Sequence, residues 1–382
     1  MQQRTTNTRD RLKTTSLDLF AECWYETVSV AEICRGAGVS NGIFYHYYQK
    51  KEEIFRELLD EYLVMLRQRL GMVGGHGVEE RLESFLTVVA TSIQEDWKHV
   101  SVFREGQYRF PEYERRLRDI YVEAASRIYD RPVNEAEYVF VAGGVRFATI
   151  RALHCDMELD LGVLKDAVFN GVFTSPLEQP DKLFPTEIKQ LEIGPEGGGG
   201  EESSRDRLIE SGIELFGQRG YYNVNVYEVA RNAGFSVGTF YLYFKTKEEF
   251  LAEIVRLIGR RTRHFITINL DPGLNRLEQE LRGLFLFLKH FGRRPEYYSI
   301  VREAEFVVSG EVDQYYDGFE RGYLRDLPQT RQESPEAKRV IANALLGVSH
   351  YTGIEVLYSR NIEDYYQVIL QLGRYLHQGI RE

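Results

Sequence analysis

Sliding the 382-residue chain along itself by 196 positions lays RDRL at 9–12 on RDRL at 205–208, and the match runs on without a gap to Phe55. Across that stretch 21 of 47 aligned pairs are identical, among them Leu19-Phe20 on Leu215-Phe216, Ala37-Gly38 on Ala233-Gly234, and Lys51-Glu52-Glu53 on Lys247-Glu248-Glu249. So long a match identifies a duplicated module, and whatever one copy folds into the other must fold into as well. The likeness then fades, yet SVFREG at 101–106 still resembles SIVREA at 299–304, which implies two homologous halves. Between them IGPEGGGGEESS at 193–204 holds too little apolar surface to pack. It is expected to be a flexible tether, spanning at most about 40 Å when extended.

At 44.5 kDa the chain exceeds the usual size of one hydrophobic core, in keeping with two halves. The sequence shows no run of about 18 apolar residues that would cross a membrane, and the stretch from Val139 to Val145 is cut short by Arg146. The polar, basic beginning MQQRTTNTRDR does not read as a secretory signal. Three scattered cysteines, Cys23, Cys34 and Cys155, suit a reducing cytoplasm and argue against a disulfide framework or a four-cysteine zinc site. A net charge of −10 speaks against indiscriminate nucleic-acid binding. The duplicated modules are different: residues 1–56 carry eight Lys or Arg against seven Asp or Glu, and 204–256 seven against seven. A small docking face there could still meet DNA.

Leu208, Ile209, Gly212, Ile213 and Phe216 mark one face of a helix, repeated by Leu12, Ser16, Leu17 and Phe20. Ser29-x-x-Glu32 and Asn225-x-x-Glu228 open a short second helix with a capping-box pattern, and Gly38 and Gly234 supply its C-cap. Ser40 and Ser236 then cap a third helix, SNGIFYHYY in one half and SVGTFYLYF in the other, and a long fourth begins at Lys51 or Lys247. Two short helices around a glycine turn form a helix-turn-helix, whose second helix fits a DNA major groove. The remaining pattern is helical over 79–98, 112–130, 134–154 and 161–174, and over 274–292, 297–308, 312–327, 335–358 and 361–381, with prolines at the boundaries and no strand signal. The fold class is therefore all-α.

The run LF-x(3)-GY-x(4)-V-x-EVA-x-NAGFSVGTFYLYFKTKEEF from Leu215 to Phe250 strongly resembles the DNA-binding domain of the TetR/AcrR family, and the first half is similar but less regular. Ordinary members carry one such unit and pair as homodimers, so the resemblance implies two units fused into a covalent pseudo-dimer. It implies helix-turn-helix domains at 1–56 and 205–252, ligand-binding and dimerisation-like helical domains at 57–192 and 253–382, and the linker between them. It also implies a transcriptional regulator, a repressor released by an unknown small-molecule effector.

On that reading Ser40, Asn41, Ile43, Tyr45 and His46 form one reading head, and Ser236, Val237, Thr239, Tyr241 and Leu242 the other. Hydroxyls and Asn can bond base edges or phosphates, whereas Val, Ile and Leu can touch only thymine methyls or sugar. The heads differ, which predicts an operator with two non-identical half-sites. Lys51 and Lys247, at a helix start, are expected to hold phosphates together with the backbone donors. Thr27 and Asn223 are further phosphate candidates beside simple turn roles. Phe44 and Phe240 are expected to face the core. Gly42 and Gly238 within the reading helix imply close approach of a neighbouring helix or of DNA. Trp24 replaces the glycine found at Gly220, so the first turn must be strained or built differently, with packing on the fourth helix as the alternative.

Trp97, Tyr108, Tyr298, His350 and Tyr351 are candidate effector contacts in a largely apolar interior. His154-Cys155-Asp156-x-Glu158 is the one cluster of metal-type side chains, and its spacing recruits two ligands at most, so neither a metal nor another cofactor is expected. No phosphate loop, nucleophile elbow or HExxH element points to an enzyme. Glu105 and Glu303, each following an arginine, are expected in ion pairs. A single chain can act as the functional pseudo-dimer, in the cytoplasm and without a membrane partner; further self-association stays open. The competing reading is a helical ligand- or protein-binding scaffold in which one or both modules no longer touch DNA.

Overall fold

The computed structural model describes residues 8–155, 157–191, 203–325 and 330–382. In the first half the helices are α1 (Thr8–Glu22), α2 (Val30–Ala37), α3 (Asn41–Tyr47), α4 (Lys51–Leu70), α5 (Val78–Glu95), α6 (Trp97–Arg109), α7 (Pro111–Tyr129), α8 (Glu135–Tyr138), α9 (Gly144–His154), α10 (Leu161–Asn170) and the short α11 (Thr186–Gln190). In the second they are α12 (Ser204–Arg219), α13 (Val226–Asn232), α14 (Val237–Tyr243), α15 (Lys247–Asn269), α16 (Arg276–Arg293), α17 (Pro295–Ala304), α18 (Ser309–Arg325), α19 (Pro335–Gly353) and α20 (Tyr365–Gln378). One π turn, Val139–Gly143, joins α8 to α9, and another, Ile354–Tyr358, extends α19. Among the described residues there is no strand, only an isolated bridge between Phe173 and Thr330.

The expected signals place the helix ends. Ser29 with Glu32 and Asn225 with Glu228 make complete capping boxes, Gly38 and Gly234 stand at φ +66° and +80°, and Pro111, Pro295 and Pro335 occupy first turns. Helix α6 was hidden in the sequence between two stronger patterns, because its buried side is only partly apolar and includes Glu105, Gly106 and Gln107. The expected boundaries at 56 and 252 fall inside the unbroken helices α4 and α15, so each reading module is continuous with the bundle behind it. The tether expected at 193–204 lies outside the described residues except for Ser203 and Ser204.

The halves pack as a two-fold pair. After α10, the Val172 and Phe173 amides donate to the Leu376 carbonyl; after α20, the Ile380 amide donates to the Val168 carbonyl. Gly171 and Gly379, at φ +86° and +72°, allow this crossing, since a Cβ on either would lie 2.4 Å or closer to a carbonyl of the other segment. Contacts that reciprocate in this way are those of an isologous dimer interface, here made within one chain. Along the same seam α9 meets α19 through Gly143, Gly144, Ala344 and Gly347, with ion pairs from Arg151 to Asp313 and Asp317 across the halves.

One expectation is corrected here. The helix Pro335–Tyr358 is long and apolar enough to cross a membrane, although the sequence was read as lacking such a run. Its interspersed Asn343, Ser349 and His350 masked the pattern, and 72% of its apolar window is buried inside the fold as the core of the seam.

Candidate nucleic-acid interface

Each reading helix is seven residues long and is anchored by a single phenylalanine. Phe44 and Phe240 are fully buried, as expected, and pack on Tyr48 in one module and on Phe244 and Phe250 in the other. The opposite faces are open. Tyr45 is 57% exposed, Tyr241 55% and Leu242 82%, and Ser40, Asn41, Ile43, His46 and Ser236 are exposed as well. Val237 and Thr239 are half-buried.

Two differences between the heads concern their starts. Ser236 accepts from the Thr239 amide and caps α14, whereas the Ser40 hydroxyl makes no cap bond and is free to engage a ligand. Likewise Thr246 caps α15 while Lys50, at the matching place, leaves α4 uncapped. A Cβ on Gly42 or Gly238 would meet only the neighbouring serine hydroxyl, at 3.8 and 3.5 Å. No adjacent helix comes within 4 Å of such a Cβ.

Lys51 and Lys247 depart from expectation. Both ammonium groups turn inward: Lys51 Nζ donates to the Tyr25 and Val28 carbonyls at 2.5 and 2.7 Å, and Lys247 Nζ to the Tyr221 carbonyl at 2.6 Å, each over a tyrosine ring at about 4 Å. Burial holds both below the ordinary lysine range. Through these donations the lysines tie the start of the fourth helix in each half to the α1–α2 and α12–α13 turns. Thr27 Oγ1 donates to the Trp24 carbonyl and Asn223 Nδ2 to the Arg219 carbonyl; both residues remain exposed beside the reading helices.

The same turns are gripped from the other side by a device that the sequence reading missed. The buried Glu105 carboxylate on α6 accepts from the Tyr25 amide at 3.1 Å, and Glu303 on α17 accepts from the Tyr221 amide at 2.8 Å. Burial pushes Glu105 up to about 8, against the pull of Arg109, and raises Glu303 too. Glu105 makes the expected ion pair, with Arg109 at 3.5 Å, whereas no ion pair is found for Glu303 among the described residues; what the two share is the bond to a backbone amide. The matched positions in the duplicated sequence were the available signal; their partner was not legible.

Trp24 is a second correction. Its φ is not in the left-handed region, unlike that of Gly220 at +77°, so the turn carries no such strain. Trp24 is 5% exposed, stacks on Tyr222 of the other half at 5.5 Å and 9°, and meets Phe306 at 4.9 Å. The tryptophan thus joins the two reading modules directly.

The effector candidates separate. Tyr298 and His350 line a cavity of about 460 Å³ within the second half. His350 and Tyr351 line a smaller one of about 60 Å³ at the seam, and Tyr108 lies beside Arg302, which borders both cavities. Trp97 is 45% exposed at the start of α6 and lines neither, because the helix turns it outward beside Lys98. Among the described residues no three His, Cys, Asp or Glu groups converge as a metal site; Asp156 of the expected cluster lies outside them.

The family model for bacterial regulatory proteins of the tetR family matches twice, at 14–58 and 208–254. YdgC of Bacillus subtilis, an uncharacterised HTH-type transcriptional regulator, is 37% identical over 73 residues, which span 19% of this chain and 37% of that one. The HTH-type transcriptional regulator UidR of Escherichia coli is 23% identical over 168 residues, 44% of this chain and 84% of its own. Among solved structures, the fatty acid degradation regulator FadR from Bacillus halodurans aligns at 16% identity over 49% of this chain and all of its own, with a TM-score of 0.40. A TetR-like regulator from Rhodococcus aligns at 23% over 47% and 95%, with a TM-score of 0.37. Two family matches on two helix-turn-helix units, held in one all-helical body, lead to one statement: the chain carries in tandem two units that match the tetR family of bacterial regulatory proteins.

Proposed function

We propose that this chain is a repressor that grips one operator with two unlike reading helices, α3 and α14, and lets go when a small molecule enters the second half. The observation that carries this reading is the Trp24–Tyr222 junction together with the seam, which tie two chemically different reading faces into one molecule. Fusion makes the second half-site contact intramolecular and removes the need for identical heads. Thr27 and Asn223 are assigned to phosphates, Ser40, Asn41, Ile43, Tyr45 and His46 to one half-site, and Ser236, Val237, Thr239, Tyr241 and Leu242 to the other. The division into reading modules and effector-binding bundles follows the same helices.

Helix α17 supplies the route for release. Tyr298, Val301 and Arg302 face the cavity, and the next residue, Glu303, holds the Tyr221 amide of the second module. A ligand that shifts α17 moves the module it grips, provided the helix has two discrete positions. Selection of bound duplexes followed by footprinting tests the reading. The expected site has two half-sites about one helical turn apart that differ at the bases facing His46 and Leu242. A perfect palindrome as the best site would count against it.

A further inference from the structure

Matched helices of the two halves differ where the cavity lies. Helices α5 and α16, and again α7 and α18, align with an offset of 198, the offset of SVFREG and SIVREA. At that offset the buried Phe85, Ile120 and Ala124 correspond to Gly283, Gly318 and Gly322, all of which line the cavity of about 460 Å³. The first half fills its interior further with Arg146, whose guanidinium lies 4.4 Å from the Tyr121 ring and 4.2 Å from the Tyr351 ring.

Glycine inside a helix lowers stability by about 1 kcal/mol relative to alanine unless something needs the space. At Gly322 a Cβ would touch nothing within 4 Å and at Gly283 only Ile266 Cγ2 at 4.0 Å, whereas at Gly318 it would meet the Arg263 guanidinium at 2.6 Å, so Gly318 admits the arginine and the other two leave open space. The space is kept open within the second half.

The walls are aromatic and aliphatic, with an excess of positive charge. Arg263, Arg276, Arg302 and Arg325 face one carboxylate, Glu280, and that carboxylate is already bonded to Arg276 at 2.9 Å and to the Tyr323 hydroxyl at 2.6 Å. Arg302 is 6% exposed, yet its Nη1 has no hydrogen-bond partner among the described residues, and neither does the hydroxyl of the equally buried Tyr298. Rings of Tyr108, Tyr298 and Tyr358 lie 5.2–6.0 Å from the Arg302 guanidinium. No carboxylate comes within ion-pair distance of it among the described residues: of the two acids whose charge it feels, the buried Glu114 stands beyond that distance and Glu305 is paired with Arg104. A buried cation and a buried hydroxyl without partners are costly unless a ligand supplies acceptors.

We infer that the second half alone takes a ligand, one per chain, and that this ligand is an organic anion: an apolar body against the aromatic walls and an acidic head accepting from Arg302 and Tyr298. The inference deepens the regulator reading and rests on it for the ligand's role as effector.

Calorimetric titration of the full chain with decanoate, decan-1-ol, decylammonium and 2-naphthoate tests it. One acid molecule should bind per chain, at least tenfold tighter than the alcohol, and the ammonium should not bind. Arg302→Leu and Tyr298→Phe should each weaken acid binding while leaving the alcohol unaffected, and Gly322→Leu, with helicity and melting temperature checked, should exclude all of them. Equal affinity for acid and alcohol, two sites per chain, or no binding of either acid would overturn the inference. DNA binding by the ligand-free protein, measured in parallel, separates the two readings. If DNA binds but the acids do not, only the ligand class falls; if an acid binds but DNA affinity does not change, the release mechanism falls.

Discussion

Replacing Trp24 by alanine removes the side chain that ties one reading module to the other. The indole is 5% exposed, stacked nearly parallel on Tyr222 and tilted against Phe306, with the Arg109 guanidinium 5.7 Å from its ring. Its Nε1 has no partner among the described residues, so no hydrogen bond is lost and the effect is one of packing. Truncating a buried tryptophan to alanine costs about 3–5 kcal/mol; a junction between modules can partly collapse, so the expectation is the lower end, about 3 kcal/mol. Trp24→Phe should cost about 1 kcal/mol, since a smaller ring keeps part of the stack. The pairwise part is isolated by a cycle with Tyr222→Ala, where a coupling of about 0.5–1.5 kcal/mol is expected. The assay is urea unfolding read at constant m-value, with affinity for the selected operator measured alongside. Affinity should fall in Trp24→Ala and recover in Trp24→Phe. A stability loss under about 1 kcal/mol, or no coupling with Tyr222, would refute the reasoning that this stack joins the modules.

Four further expectations follow from named contacts. Because burial raises Glu105 to about 8, the folded chain keeps a proton that the unfolded chain gives up above about 4.5; stability from this group therefore declines as pH rises through that window, and Glu105→Gln should flatten the fall in melting temperature between about pH 5 and 8. Lys247→Met should lower stability but leave the slope of log affinity against log salt unchanged, since the ammonium is spent on the Tyr221 carbonyl; a slope reduced by about one would restore the phosphate role. Gly322→Ala should raise stability by about 0.5–1 kcal/mol, whereas Gly38→Ala, at φ +66°, should lower it by about 1 kcal/mol or more, both read by thermal unfolding. His46→Ala and Leu242→Ala should each relax base preference in one half-site only, by about 1–3 kcal/mol in the case of a lost bidentate contact and less for Leu242, as scored by binding to single-base operator variants.

The duplication, the capping boxes at Ser29 and Asn225, the glycine turns and the two reading helices were all legible, because each is a local pattern whose physics lies within a few residues. The burial of Phe44 and Phe240 followed from spacing for the same reason. What stayed hidden depends on parts of the chain far apart in sequence. The direction taken by Lys51 and Lys247 is decided by carbonyls more than 20 residues away, and the stacking of Trp24 on Tyr222 by the way the halves meet. Glu105 and Glu303 announced themselves only by matching, since a carboxylate on a helix gives no hint that its acceptor role is toward a distant backbone amide. Of the effector candidates, Tyr298 and His350 line the cavity, but the sequence could not show that Gly283 and Gly322 would leave one half open while Phe85 and Ala124 fill the other.

On the proposed reading one polypeptide grips one operator with both of its reading helices. This grip is tested most directly by native mass measurement of the complex on the selected duplex, together with strand-cleavage footprints of the chain and of variants altered at His46 or Leu242. The account predicts one chain per duplex, two protected half-sites, and a footprint that weakens in one half only for each variant. Two chains on a symmetric site, or a footprint indifferent to changes in α3, would contradict it.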